Sequence, residues 1–201
     1  GDDWTTPEPV VIKGVDDSLV DGTINTTITI SVVDESSDNN FDGVGNQTFT
    51  VRTQDDEVAA FKLSLENGND IPDGHLFTVS EASGNTKFGI ILDKEPVGNV
   101  VFDVESANTN EAIISDPSDG RVTFTTTNWN QRQLVTITGV EDNLVDTDIN
   151  TNVTISINTD LTEANYDNVA SQTIIVTTED NDTPGFKLYR VDENDVNHVI
   201  D

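Results

Sequence analysis

The chain has 201 residues, with 38 Asp and Glu against 9 Lys and Arg, a formal net charge of −29. Such a balance excludes nucleic acid as a partner, since phosphate contacts need clustered Lys and Arg, and it disfavours anionic lipid for the same reason. Cysteine is absent, which removes disulfides and thiolate chemistry. No 18-residue apolar run is present, so no direct membrane insertion is expected from this stretch.

Apolar and polar residues alternate nearly everywhere. Strands are expected near 10–14, 26–33, 47–54 and 60–65, at Phe77-Val79, near 86–92, and at Val100-Phe102-Val104. They continue near 121–126 and 133–139, at Val153-Ile155-Ile157, and near 171–178 and 185–190. Val, Ile and Thr dominate these runs, as a pleated, half-buried surface favours. Turn-forming clusters separate them, among them Glu66-Asn67-Gly68-Asn69-Asp70 and Asp116-Pro117-Ser118-Asp119-Gly120, and no long stretch repeats at helical spacing. Almost no helix is expected.

The block Trp4 to Phe61 returns as Trp129 to Phe186, 125 residues later, with 24 of 58 positions identical. A 125-residue period is the size of one sandwich domain. The organisation expected is therefore the C-terminal part of one repeat over 1–57, a complete repeat over 58–182, and the first strand or strands of another over 183–201. The fold class is all-β: tandem immunoglobulin-like antiparallel β-sandwich repeats, with seven or eight strands in the complete unit. Trp129 and its counterpart Trp4 read as plugs at the end of the core. Phe41 and Tyr166, each followed by Asp, read as packing at a sheet edge or corner.

The acids are not scattered. Asp16, Asp17 and Asp21, and in the second copy Glu141, Asp142 and Asp146, with Asp148 close by, follow a strand that ends in Gly-Val. Asp55, Asp56 and Glu57, like Asp180 and Asp182, follow the last strand of their unit. If those two strands run the same way, both sets emerge at one end. Carboxylates gathered there repel by about 4 kcal/mol per pair at 4 Å and intermediate dielectric. A hard divalent cation reverses that sign, and Ca²⁺, with roughly 6–8 oxygen ligands, suits short Asp-rich loops. Zinc or iron would want Cys or several His. The competing reading is a set of solvated turn residues.

The run Gln133-Leu134-Val135-Thr136-Ile137-Thr138-Gly139-Val140-Glu141-Asp142, the later Ile174-Ile175-Val176-Thr177-Thr178-Glu179-Asp180-Asn181-Asp182, and Phe77-Thr78-Val79-Ser80-Glu81-Ala82-Ser83-Gly84 together resemble the Calx-beta repeat of large bacterial surface and adhesin proteins. The resemblance covers 61–182 and, by internal repetition, 4–57. It implies a seven-stranded sandwich that binds calcium at one tip, next to the following domain. Glu81 matches the family's opening acid, Glu141, Asp142 and Asp146 its middle acidic loop, and Asp180 and Asp182 its closing run. Asn181 stands where the family often has Asp, which implies a weaker site or fewer ions. Glu111 is a further candidate from a neighbouring loop. Glu179-Asp180-Asn181-Asp182-Thr183-Pro184 also looks like a cadherin linker, without the other cadherin motifs.

No nucleophile is patterned beside His75 or His198, so a catalytic triad is not expected, and the chain reads as a non-enzyme. The function expected is a calcium-stabilised extension or stalk module of an extracellular bacterial surface or adhesion protein. Its partners would be neighbouring repeats or identical subunits and a component of a cell surface or matrix. The alternatives are a subunit of an extracellular filament or surface layer that assembles by strand exchange, and an accessory domain of a secreted polysaccharide-active enzyme.

Overall fold

The computed structural model describes residues 5–72, 74–82, 84–186, 188–192 and 195–199. The strands, in chain order, are β1 (Leu19–Val20), β2 (Ile24–Ile30), β3 (Gln47–Thr53), β4 (Phe61–Leu65), β5 (Leu76–Ser80), β6 (Asn85–Leu92) and β7 (Glu95–Pro96). They continue as β8 (Val100–Ser106), β9 (Ala112–Asp116), β10 (Arg121–Phe124), β11 (Gln133–Gly139), β12 (Ile149–Ile157), β13 (Gln172–Glu179), β14 (Tyr189–Asp192) and β15 (Asp195–Val199). The only helical turns among the described residues are 3-10 segments at Asp34–Ser36, Asn39–Phe41 and Ala164–Tyr166.

Two sheets form a sandwich: β10-β8-β12-β13-β5 faces β4-β6-β11-β9. Alternate residues of β8, β11, β12 and β13 point inward, as period-two patterning requires. The core holds Phe61, Phe77, Phe88, Ile90, Phe102, Phe124, Val135, Ile137, Val153, Ile155 and Val176, all buried. Its aromatic rings meet edge to face, Phe61 on Phe102 at 4.7 Å and Phe102 on Phe124 at 5.9 Å between centroids, an arrangement the ring quadrupoles favour.

The sandwich is all-β but not purely antiparallel. β5 pairs with β13 in parallel, Leu76 opposite Ile175 and Ser80 opposite Glu179. The reason lies in β4. It runs against β6 in one sheet, and after the 66–75 loop the chain continues in the same direction as β5 in the other sheet. A strand that changes sheets without reversing lands parallel to the last strand of the unit. Strand β9 is a further departure: its Ala-Ile-Ile run is short and does not alternate, yet it pairs with β11.

The stretch expected as a strand at 10–14 is not one, although its repeat counterpart is β11. β11 is held between β6 and β9, and among the described residues no segment flanks 10–14 in that way. Val10 and Val11 are correspondingly exposed. Among the described residues, β2 and β3 pair only with each other. At the other end β14 begins at Tyr189, and Phe186 and Leu188 are exposed; Lys187 lies outside the described residues.

Trp129 packs against the edge of the core, while Trp4 lies outside the described residues. Tyr166 is fully buried and its hydroxyl donates to the Lys94 carbonyl at 2.7 Å, whereas the counterpart Phe41 is exposed. Tyr166→Phe is expected to lose about 1 kcal/mol, the net value of one such bond. Thermal denaturation should report it as a fall of about 2–4 °C in Tm.

Candidate metal centre at one pole of the sandwich

β5, β8, β11 and β13 all end at one pole, where β6, β9 and β12 begin. The loops at this pole are short and tightly tied. The Glu81 amide donates to Glu179 O at 3.2 Å, the Gly139 amide to Gly84 O at 3.0 Å, and the Val140 amide to Glu111 O at 2.8 Å. Gly139 is required there: a Cβ would run into the Ser80 carbonyl. The Gly before the acidic loop thus lets β11 close against the end of β5.

Two carboxylate triads sit at this pole. Glu81, Asp180 and Asp182 offer oxygens within 4.8 Å of one another, and so do Glu111, Asp142 and Asp146. A third group, Asp16, Asp56 and Glu57, forms in the first copy, at the positions that Glu141, Asn181 and Asp182 take in the second. Glu81 and Glu111 are 1% and 6% exposed. Among the described residues, the only hydrogen bond to the Glu81 carboxylate is a long one from the Asn181 amide, 3.4 Å. Among the described residues, the four ion pairs are Lys62–Asp93, Lys87–Glu66, Lys94–Glu57 and Arg121–Asp103, and none reaches either triad. Asp146 Oδ1 and Asp182 Oδ2, one from each triad, are buried without a hydrogen-bond partner.

Asp180 has a different task. Its Oδ2 accepts from the Asp146 and Thr147 amides at 3.2 and 3.0 Å, and its Oδ1 from the Asp182 amide at 2.7 Å. The first copy repeats this bond for bond: Asp55 Oδ2 accepts from Asp21 and Gly22 at 3.1 and 2.7 Å, and Oδ1 from Glu57 at 2.9 Å. These amides hold the Asp55 and Asp180 carboxyls below the ordinary carboxylate range. Thr147 sits at φ +71°, where the first copy has Gly22 at +72°. Such a backbone is unfavourable for a β-branched residue, and the bond from its amide to Asp180 fixes it.

The remaining candidates divide. Asp142 belongs to a triad and also caps a turn, accepting from the Leu144 amide at 2.7 Å, as Asp17 does from Leu19 at 2.9 Å. Asp17, Asp21 and Asp55 fall outside the first-copy group, and Asp55 serves as the clamp. Glu141 is exposed and paired with the Asn181 side-chain amide at 3.0 Å, so the Asn at 181 converts an acid–acid contact into a hydrogen bond. Asp148 accepts from the Asp180 amide at 3.2 Å. Glu111 is more deeply placed than its sequence context suggests. Its signal in the sequence is an acid just ahead of the short apolar run Ala112-Ile113-Ile114.

The residues present fit a hard divalent cation. Each triad gathers negative charge, one member is buried with almost no donor, and one oxygen is orphaned. Oxygen-only ligands of this kind suit Ca²⁺. Asp180, Asp182 and Glu81 would hold one ion, and Glu111, Asp142 and Asp146 another.

No protein-family model matches the chain, and no curated protein matches it. Among solved structures it is similar to the chaperone DraB of E. coli, at 10% identity and TM-score 0.41, over 63% of this chain and 59% of that one. It is also similar to the apo-form Calx CBD1 domain, at 12% identity and TM-score 0.38, over 62% of this chain and 100% of that one. Domains 1–6 of the surface layer protein SbsC match at 17% identity and TM-score 0.38, over 79% of this chain and 19% of that one. These are distant likenesses, and the chemistry of the pole rests on its own residues.

Burial, followed by the neighbouring aspartates, pushes the Glu81, Glu111 and Asp182 carboxyls up. Groups raised on folding stabilise the protonated folded state, so the metal-free chain loses stability as pH rises from the ordinary carboxylate range towards neutrality. Asp55 and Asp180 act oppositely, their contribution being lost as pH falls through their lowered values. In chelator, Tm should rise as pH is lowered from about 7.5 to about 5 and fall again below about 4. A pH series of melts checks both limbs, and Glu81→Gln should flatten the first.

Proposed function

We propose that the chain is part of an extracellular surface protein built from tandem sandwiches, in which calcium at each acidic pole holds neighbouring units in line, so that the array serves as an extension or stalk module. The observation that carries this reading is the pair of triads around buried Glu81 and Glu111, which no Lys or Arg among the described residues reaches. Calcium would supply the missing positive charge, and Glu81, Glu111, Asp142, Asp146, Asp180 and Asp182 would supply the ligands. Ordering these loops orders the point at which the chain leaves the sandwich.

The junction between copies supports a role in alignment. The first-copy group Asp16, Asp56 and Glu57 lies at the pole of that copy that faces the next sandwich. Glu57 pairs with Lys94 at 3.3 Å, and Lys94 sits between β6 and β7, at the end of the sandwich opposite its own acids. The acidic tip of one unit therefore meets the base of the next. A cation bound there would act between two bodies as well as within one. An adhesion role would belong to whatever such an array presents.

Calcium at 100-fold excess over its dissociation constant should add about 2.7 kcal/mol, a rise of about 5–10 °C in Tm for a chain of this size. Glu81→Gln and Glu111→Gln should each raise Tm in chelator at neutral pH while reducing the calcium-dependent rise. That opposition separates a ligand from a residue that merely supports the fold. Equal melts with and without calcium, with no binding by calorimetry, would overturn the metal reading.

A further inference from the structure

A second docking device is built into the acidic loop and involves no metal. In the first copy β1, Leu19–Val20, leaves its own unit and pairs in parallel with β7 of the sandwich, Leu19 opposite Glu95 and Val20 opposite Pro96. The Asn165 side-chain amide donates to Val20 O at 2.9 Å. Val20 is 4% exposed and belongs to the same buried cluster as Phe61 and Phe102. A two-residue strand thus plugs one sandwich into the base of the next.

The second copy carries the same Leu-Val pair, and among the described residues no strand pairs with it. Leu144 and Val145 stand at the positions of Leu19 and Val20, and they are 61% and 52% exposed. They are nonetheless held in the same frame. Asp142 caps the turn on one side as Asp17 does in the first copy, and Asp180 grips Asp146 and Thr147 on the other as Asp55 grips Asp21 and Gly22. Two exposed aliphatic residues on an acidic surface, held on both sides by the same hydrogen bonds that flank their docked counterparts, form a pre-organised plug. The left-handed backbone at Thr147 leaves room for the docked geometry: a Cβ at Gly22 would meet Asn165 Oδ1 at 3.4 Å, an ordinary contact.

We infer that Leu144–Val145 is a docking strand whose occupant is another sandwich of this same repeat, received on that sandwich's β7 edge at Glu95–Pro96 and by its Asn165. This rests on the tandem reading above but not on calcium. The acceptor edge suits the role, since Pro96 has no amide hydrogen and is confined to short edge pairing. Continuity with the Leu19–Val20 interface identifies the partner.

The test uses the full chain with residues 58–182 duplicated in register, in excess chelator, so that loss of the calcium reading leaves it readable. Val145 of the first duplicate then faces an open β7, while Val145 of the second does not. Val145→Asp in the first duplicate should lower Tm, as Val20→Asp should in the parent chain, whereas the same change in the second duplicate should leave Tm unmoved. Because the chain has no cysteine, Val145→Cys in the first duplicate paired with Pro96→Cys in the second should oxidise to a disulfide, as the Val20–Pro96 register implies. Equal melts for the two Val145→Asp placements, together with no disulfide, would overturn the docking strand.

Discussion

Uncompensated negative charge at one end of a small sandwich is the constraint on which the rest of this molecule turns. Two carboxylates about 4 Å apart repel by roughly 4 kcal/mol at intermediate dielectric, and burial adds a desolvation penalty. Evenly spread over a solvated surface, an excess of 29 negative charges would ask little of the fold. Here Glu81 and Glu111 are drawn inside, beside Asp142, Asp146, Asp180 and Asp182. The loops that bear them are correspondingly tied by backbone bonds, and glycine is used where the strands close on each other.

The internal repeat separates what the architecture requires from what is free to drift. The Asp55 and Asp180 clamps match bond for bond, and so do the turns capped by Asp17 and Asp142. Around them the chemistry varies: Asp56 becomes Asn181 and Gly22 becomes Thr147. Each exchange has a local answer. Asn181 donates to Glu141 where an acid would repel it, and Thr147 is kept in a left-handed backbone by its bond to Asp180. The clamp fixes the loop, and the variable positions tune the charge around it.

Much of this was legible in the residues. The period of two, the 125-residue recurrence and the acids placed after Gly-Val and after the last strand lead to an all-β sandwich with crowded acids, and the structure gathers those acids at one pole. The misses have physical causes. The parallel pairing of β5 depends on where a strand crosses between sheets, which composition does not encode. The strand character of 10–14 depended on neighbours rather than on its own Val-Val-Ile run. Glu111 is hard to place from the sequence because β9 is too short to announce itself by alternation. Asp17 and Asp142 cap equivalent turns, yet Asp142 alone of the two belongs to a carboxylate group: turn-capping acids and metal-binding acids share one vocabulary, and the sequence does not separate them.

The strand that begins in one sheet as β4 and resumes in the other as β5 fixes where the chain enters and leaves. Phe61 starts at the base and Glu179 ends at the opposite pole, so the unit is threaded from end to end. Tension along an array of such units would pull β4 and β13 lengthwise past β6, β12 and β5. That loads the ladders of both sheets in shear, with many hydrogen bonds resisting together instead of opening one after another. A module threaded in this way is suited to bearing a pull between whatever lies at its two ends.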